Sequence, residues 1–207
     1  MTLNVNKLPR RTRKFVEQPE LEPGVYPARV VQIIGFGLQK QRPYKGQEKE
    51  PAYEIGITYE LVDEFMIDEN GEELTDKPRW VSEIMPLHSP EATRAKSNAR
   101  LKALDPENKY EGDFGQLTGT PCNVSIAKNV YNGKTYFNVS DVGTMRQKEA
   151  ENLSELKNEP RVFSLGDPDL EVFNAFPKWI QEKIVGNLEY KGSKLELLLE
   201  GKNSEPD

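Results

Sequence analysis

Between Gly24 and Val142 the chain passes through three strand-like segments, one compact helical segment and two further strands. This order constrains the fold more than any other feature. The first strand, GVYPARVVQIIGFG (residues 24–37), is rich in β-branched side chains, and Gly35 and Gly37 are placed to end or bulge it. Pro27 inside it predicts an edge position or a bulge. The second, AYEIGITYELV (52–62), puts Tyr53, Ile55, Ile57, Tyr59 and Leu61 on one face and Glu54, Thr58 and Glu60 on the other. Such period-2 alternation predicts a half-buried strand. RWVSEIMP (79–86) is the third. Ser89 as a cap and Pro90 at the first helical position predict a helix over residues 89–104, stopped by Asp105-Pro106. Its alanines, Ala92, Ala95, Ala99 and Ala103, form a small-residue stripe suited to plugging the end of a barrel. In residues 121–142, Asn132-Gly133 separates two alternating runs and predicts a hairpin. Cys122, Val124 and Ile126 share one side of it, with Phe137 and Val139 beside them. Three strands, a helix and two strands is the order of an OB-fold, a five-stranded, partly open Greek-key barrel.

The predicted fold class is therefore mainly β: a five-stranded OB-fold-like barrel with one helix between strands three and four, plus a small C-terminal helical appendage. Residues 1–22 lack periodicity, carry Arg10, Arg11, Arg13 and Lys14, and read as a flexible basic arm. The barrel occupies 23–145, and the charged stretch 146–162 reads as a linker. Residues 163–207 form the appendage with a short acidic tail. There Leu170, Phe173, Phe176, Trp179, Ile180, Ile184 and Leu188 recur at helical spacing, with Pro177 as a helix start. Such a stripe either packs on the barrel or is offered to a partner, and Phe173, Phe176, Trp179, Ile180 and Ile184 are the candidate partner-binding residues.

The residue inventory narrows the chemistry. One cysteine, Cys122, and one histidine, His88, exclude an intrachain disulfide framework and argue against a structural zinc site; the low cysteine use fits a reducing cytoplasm. No apolar run approaches the ~18 residues of a membrane span, and no phosphate-binding glycine loop, HExxH or GxSxG occurs. Mid-strand Cys122 reads as a small hydrophobe and His88 as a surface residue. The acidic run Asp63, Glu64, Asp68, Glu69, Glu72, Glu73 and Asp76 lacks EF-hand spacing and reads as a solvated turn. The expectation is a protein that is not an enzyme, with no cofactor and no metal. Net charge is −6, yet residues 1–46 hold nine Lys/Arg against three Glu. A basic front on an acidic chain directs attention to phosphate, because local charge does the steering.

Single strands are bound by cations along the phosphates and aromatic faces under the bases, with stacking worth about 1–3 kcal/mol per base. Such residues interleave at Arg29 on the first strand, at Lys40, Arg42, Tyr44 and Lys45 in the first loop, and at Arg79-Trp80. They recur at Lys128, Tyr131, Lys134 and Tyr136 around the last hairpin. Two of these groups fall in the loops that flank an OB-fold's binding face.

The runs EPGVYPARVVQIIGFG, ITYELVDE, RWVSEIMPL, PCNVSI and GKTYFNV, with FNAFPKWIQEKIVGNLEYKGSKLE near the end, resemble the single-stranded DNA-binding proteins of tailed bacteriophages. The resemblance covers Glu22 to Leu195. It implies an OB-fold protein that coats exposed strands in phage replication or recombination in the host cytoplasm. It further implies replication or recombination proteins as partners, and a homo-oligomer is compatible with it. The short tail EGKNSEPD departs from the acidic, partner-recruiting tails of such proteins, because it contains Lys202 and lacks a terminal aromatic. The alternative is a phage protein-interaction adaptor that works through the C-terminal amphipathic helix with no nucleic-acid role. DNA and RNA stay undistinguished at this level, since a contact to the 2′-hydroxyl leaves no motif.

Overall fold

The computed structural model describes residues 16–203. The cluster Arg10, Arg11, Arg13 and Lys14, like the acidic tip 204–207, lies outside the described residues. The strands are β1 (Gly24–Gln39), β2 (Ala52–Ile67), β3 (Glu73–Pro86), β4 (Pro121–Tyr131), β5 (Lys134–Thr144) and β6 (Arg161–Phe163). The helices are α1 (Lys96–Leu104), α2 (Gln147–Asn152), α3 (Leu170–Ala175), α4 (Lys178–Val185) and α5 (Lys194–Asn203). None of them is long and apolar enough to cross a membrane.

Five strands form one antiparallel sheet in the order β3-β2-β1-β4-β5, and β6 joins β1 in parallel. The sheet curls into a half-barrel around a core that includes Val30, Ile57, Tyr59, Leu61, Cys122 and Val124. β1 is central, so Pro27 is not on an edge strand; it sits just before the register with β2, which starts at Ala28. Bulges fall at Val31 and at Phe36, the latter between the two glycines that the sequence marks. The Asn132-Gly133 turn is present, with both φ angles positive (49° and 72°) and Tyr131 paired to Lys134.

The helix starts later than its cap signal predicts. Residues 89–95 form consecutive turns, and α1 begins at Lys96 after Ala95, an extended residue without a side-chain cap. The cause is Asn98, whose Nδ2 donates to the carbonyls of Ser89 (2.7 Å) and Ala92 (3.0 Å) and holds the turns open. The inward face is Ser97, Arg100 and Leu104, while Ala99 is exposed, so the alanine stripe does not plug the barrel.

α1 closes the barrel with charge. β3 and β5 approach one another across the open side without pairing. Between them the Arg100 guanidinium, 2% exposed, bonds Glu83 on β3 through Nε (2.8 Å) and Asp141 on β5 through Nη1 (3.0 Å). Tyr59 donates its hydroxyl to Glu83 at 2.8 Å, and Lys96 Nζ lies 2.7 Å from the same carboxylate. An ion pair thus stands where a barrel would otherwise have a backbone ladder. Burial, then the neighbouring Glu83 charge, pushes the Cys122 thiol up to about 12. Native protein at pH 8 is therefore expected to resist iodoacetamide and to label fully in urea. Labelling of the native chain at a free-thiol rate contradicts the buried assignment.

The C-terminal third is not an appendage on a linker. Residues 146–162 contain α2 and the start of β6, and α3 and α4 lie over the outer face of β1 and β2. A second core forms there from Ile34 and Phe36 on β1 with Phe163, Phe173, Phe176 and Ile184. Polar ties reinforce it. Arg29 donates to the carbonyls of Ser154 (2.9 Å), Gly119 (2.9 Å) and Leu153 (3.1 Å). Glu60 accepts from the Lys157 amide (2.6 Å) and Asn158 Nδ2 (2.7 Å), and Lys183 pairs with Glu54 at 2.7 Å. Thr58 and Glu60, on the face of β2 predicted to be solvated, are consequently buried. At Gly37 (φ 75°) an added Cβ would lie 2.5 Å from Leu165 Cδ1, so the covering layer requires glycine there. The helical stripe is broken at Phe176, held extended before Pro177 (φ −70°, ψ 147°). The end of the predicted arm is also seated: Leu21 is buried in the inner core, and the Gln18 carboxamide exchanges hydrogen bonds with the backbone of Ile67.

Candidate nucleic-acid interface

The exposed aromatic and basic residues gather at two places, which strand register puts at opposite ends of β1. Gln39 pairs with Ala52 at one end, and Gly24 pairs with Ile126 at the other.

At the first end, the loop after β1 is pinched by a two-residue turn. Tyr44 and Gln47 exchange backbone hydrogen bonds (2.9 and 3.0 Å), and Lys45 and Gly46 both have positive φ. The Tyr44 ring, 60% exposed, has Lys45 Nζ and Lys49 Nζ at 5.3 and 5.2 Å from its centroid. Lys40 and Arg42 are exposed in the same loop. Lys49 carries no such signal in the sequence, being set among Glu48, Glu50 and Pro51. An aromatic face flanked by two ammonium groups suits a base with its phosphates.

At the second end, register sorts the β4–β5 hairpin into two faces. Tyr131 opposes Lys134 and Asn129 opposes Tyr136, so Tyr131, Lys134 and Tyr136 share one face. Lys128 opposes Phe137 and belongs to the other. Tyr131 and Tyr136 are 69% and 44% exposed. Across the open side, Trp80 on β3 is exposed, and its Nε1 donates to Glu60 Oε2 at 3.1 Å, which fixes the indole. Arg79 lies on the opposite face of β3 by alternation and is half-buried. A groove of about 480 Å³ runs between β3 and β5, lined by Arg79, Trp80, Tyr136 and residues 18–21. Thus Arg79, Trp80 and Tyr136 are brought to one groove, with Tyr131 and Lys134 beyond it on the Tyr136 face of the hairpin.

Several candidates are used otherwise. Arg29 is 8% exposed and spends its guanidinium on backbone carbonyls and Glu155, so it does not face a ligand. A basic residue amid the apolar run of β1 reads as a phosphate contact, and only the return of residues 153–155, far along the chain, reveals it as an anchor. Phe173, Phe176, Ile180 and Ile184 are buried against the chain's own sheet, and of the five stripe residues only Trp179 (56% exposed) is open. Tyr53 is half exposed, its hydroxyl donating to Glu189 at 2.8 Å, a bond that raises the phenol's pKa. His88 is exposed. Among the described residues, no three His, Cys, Asp or Glu side chains converge as a metal site requires. The chain matches no protein-family model, and no curated protein is significantly similar to it.

Proposed function

We propose that this chain is a single-stranded DNA-binding protein on an OB-fold-like barrel, coating exposed strands in phage DNA replication or recombination with little sequence preference. The observation that carries the reading is the open side of the barrel. Trp80, fixed by Glu60, stands at one lip of the β3–β5 groove, Tyr136 at the other, with Tyr131 and Lys134 beyond. Aromatic platforms beside cations are the two devices a single strand needs. The barrel assignment is supported by the strand order, by β1 pairing with both β2 and β4, and by a helix between β3 and β4 set at the open side. The resemblance to phage single-stranded DNA-binding proteins rests on these same strands. Four of the five stripe residues are buried in the chain itself, so the face on which the adaptor reading rests is occupied by the chain's own sheet.

Fluorescence anisotropy of a labelled dT oligonucleotide, beside a matched duplex, tests it. The expected result is preference for the single strand and an affinity that falls steeply between low and high salt. Trp80→Ala and Tyr136→Ala are each expected to cost about 1–3 kcal/mol of binding. Lys134→Glu is expected to reduce the salt slope. Wild-type affinity in the Trp80→Ala/Tyr136→Ala variant, with an unchanged thermal midpoint, overturns the assigned path.

A further inference from the structure

A second cavity lies behind Trp80, between the outer face of the sheet and the covering helices. Its volume is about 260 Å³, below the ~300–1,000 Å³ typical of sites for drug-sized ligands and of a size for one small ring system. Its floor is a row of polar side chains in lateral register across four strands: Arg161 on β6, Gln32 on β1, Thr58 on β2 and Ser82 on β3. Trp80 and Trp179 stand at its rim.

Gln32 makes the cavity more than a packing gap. It is 9% exposed, and its carboxamide has no hydrogen-bond partner among the described residues. None of its unpaired atoms is sealed from the cavity. Its polar atoms open into the cavity, so a donor and an acceptor lie side by side there within reach of a complementary group. Thr58 and Ser82 satisfy one another at 2.9 Å. Arg161 is exposed and has no ion-pair partner among the described residues, so its guanidinium is a free donor beside the amide.

We infer that this cavity takes one pyrimidine base, extruded from the bound strand and held at its edge by Gln32 and Arg161 between the two indoles. Gln32 supplies one donor and one acceptor, and Arg161 supplies donors only. Thymine offers a carbonyl, an N–H and a second carbonyl along one edge; cytosine offers an amino group, a ring nitrogen and a carbonyl. Either edge matches an amide that turns to suit it, with the remaining carbonyl left for Arg161. Adenine satisfies the amide with its amino group and ring nitrogen but has only a C–H beyond them for Arg161, and guanine puts an amino donor where Arg161 needs an acceptor. The inference rests on the strand-binding reading and adds a base preference to it.

The molecule carries its own probe, because its two tryptophans, Trp80 and Trp179, both line the cavity. Full-length wild type, Gln32→Met and Arg161→Ala are titrated with end-labelled dT, dC and dA oligonucleotides, following anisotropy and tryptophan emission together. Thymidine alone, at millimolar concentration, is added as a separate arm. For wild type, dT and dC are expected to bind more tightly than dA and to quench emission. Gln32→Met is expected to lose about tenfold for dT and to keep the order of the three sequences, since adenine uses the amide as well. Arg161→Ala, an exposed change that leaves the fold intact, is expected to level them. If Gln32→Met binds dT as tightly as wild type, or Arg161→Ala keeps the wild-type sequence order, the base site is overturned while strand binding stands. If wild type binds no strand, the strand-binding reading falls and the thymidine arm decides. Quenching that is lost in Gln32→Met keeps the pocket as a pyrimidine nucleoside site, and absence of quenching removes it.

Discussion

Arg100→Met is expected to lower the unfolding free energy by about 3–5 kcal/mol, read as a large fall in the urea midpoint. The guanidinium bonds both lips of the unpaired side, Glu83 on β3 and Asp141 on β5. Its removal leaves the buried Glu83 carboxylate with Tyr59 and the half-exposed Lys96 alone. A buried carboxylate left with one half-exposed ammonium, more than the lost attraction, sets the size of the effect. The companion variant Glu83→Gln/Arg100→Met is therefore expected to recover part of the loss. A double variant as unstable as the sum of the two single changes shows instead that the residues act separately.

The second large effect is at Phe163. Its ring, 2% exposed, sits 5.5 Å from that of Phe176 in an edge-to-face contact and 5.9 Å from that of Phe173. Phe163→Ala is expected to cost about 3–5 kcal/mol, the range for emptying a buried aromatic site. More informative is the shape of the transition. β6 hydrogen-bonds to β1, and Arg29, Glu54 and Glu60 tie the covering layer to the barrel, so both are expected to melt together in wild type and variant alike. A separate early transition, in which helical far-ultraviolet circular dichroism and Trp179 emission change before the sheet melts, shows that the layer comes off by itself. Deleting residues 163–207 is accordingly a poor test of function, since it strips the cover from Ile34 and Phe36.

The parts of this fold legible in the sequence are those with local causes. The inward set of β2, the Asn132-Gly133 turn and the inward set of Cys122, Val124 and Ile126 all come from neighbours a few residues apart. The helix start is misplaced because Ser89-Pro90 is a sound local signal overruled by the side chain of Asn98. The long-range part is hidden. Arg29 meets its partners 90 to 126 residues later, and no pattern within β1 announces that. Of the candidate site, exposure and face at Tyr131, Lys134 and Tyr136 come from the hairpin register, and the outward turn of Tyr136 is readable from Phe137. The cavity behind Trp80 needs the covering helices. Its one sequence trace is Gln32, a lone polar residue between Val31 and Ile33 in an otherwise apolar run.

β1 lends one face to each core, and from Ala28 to Ile34 every residue is 9% exposed or less. Ordinary half-exposed strands accept changes at every second position; this one has no tolerant side. Random substitution along it should therefore be rejected at consecutive positions, a continuous band of intolerance in place of a comb. Within that band the Gln32 carboxamide has no hydrogen-bond partner to lose among the described residues, so exchange for an apolar residue of equal length should be accepted by the fold and noticed only by a ligand.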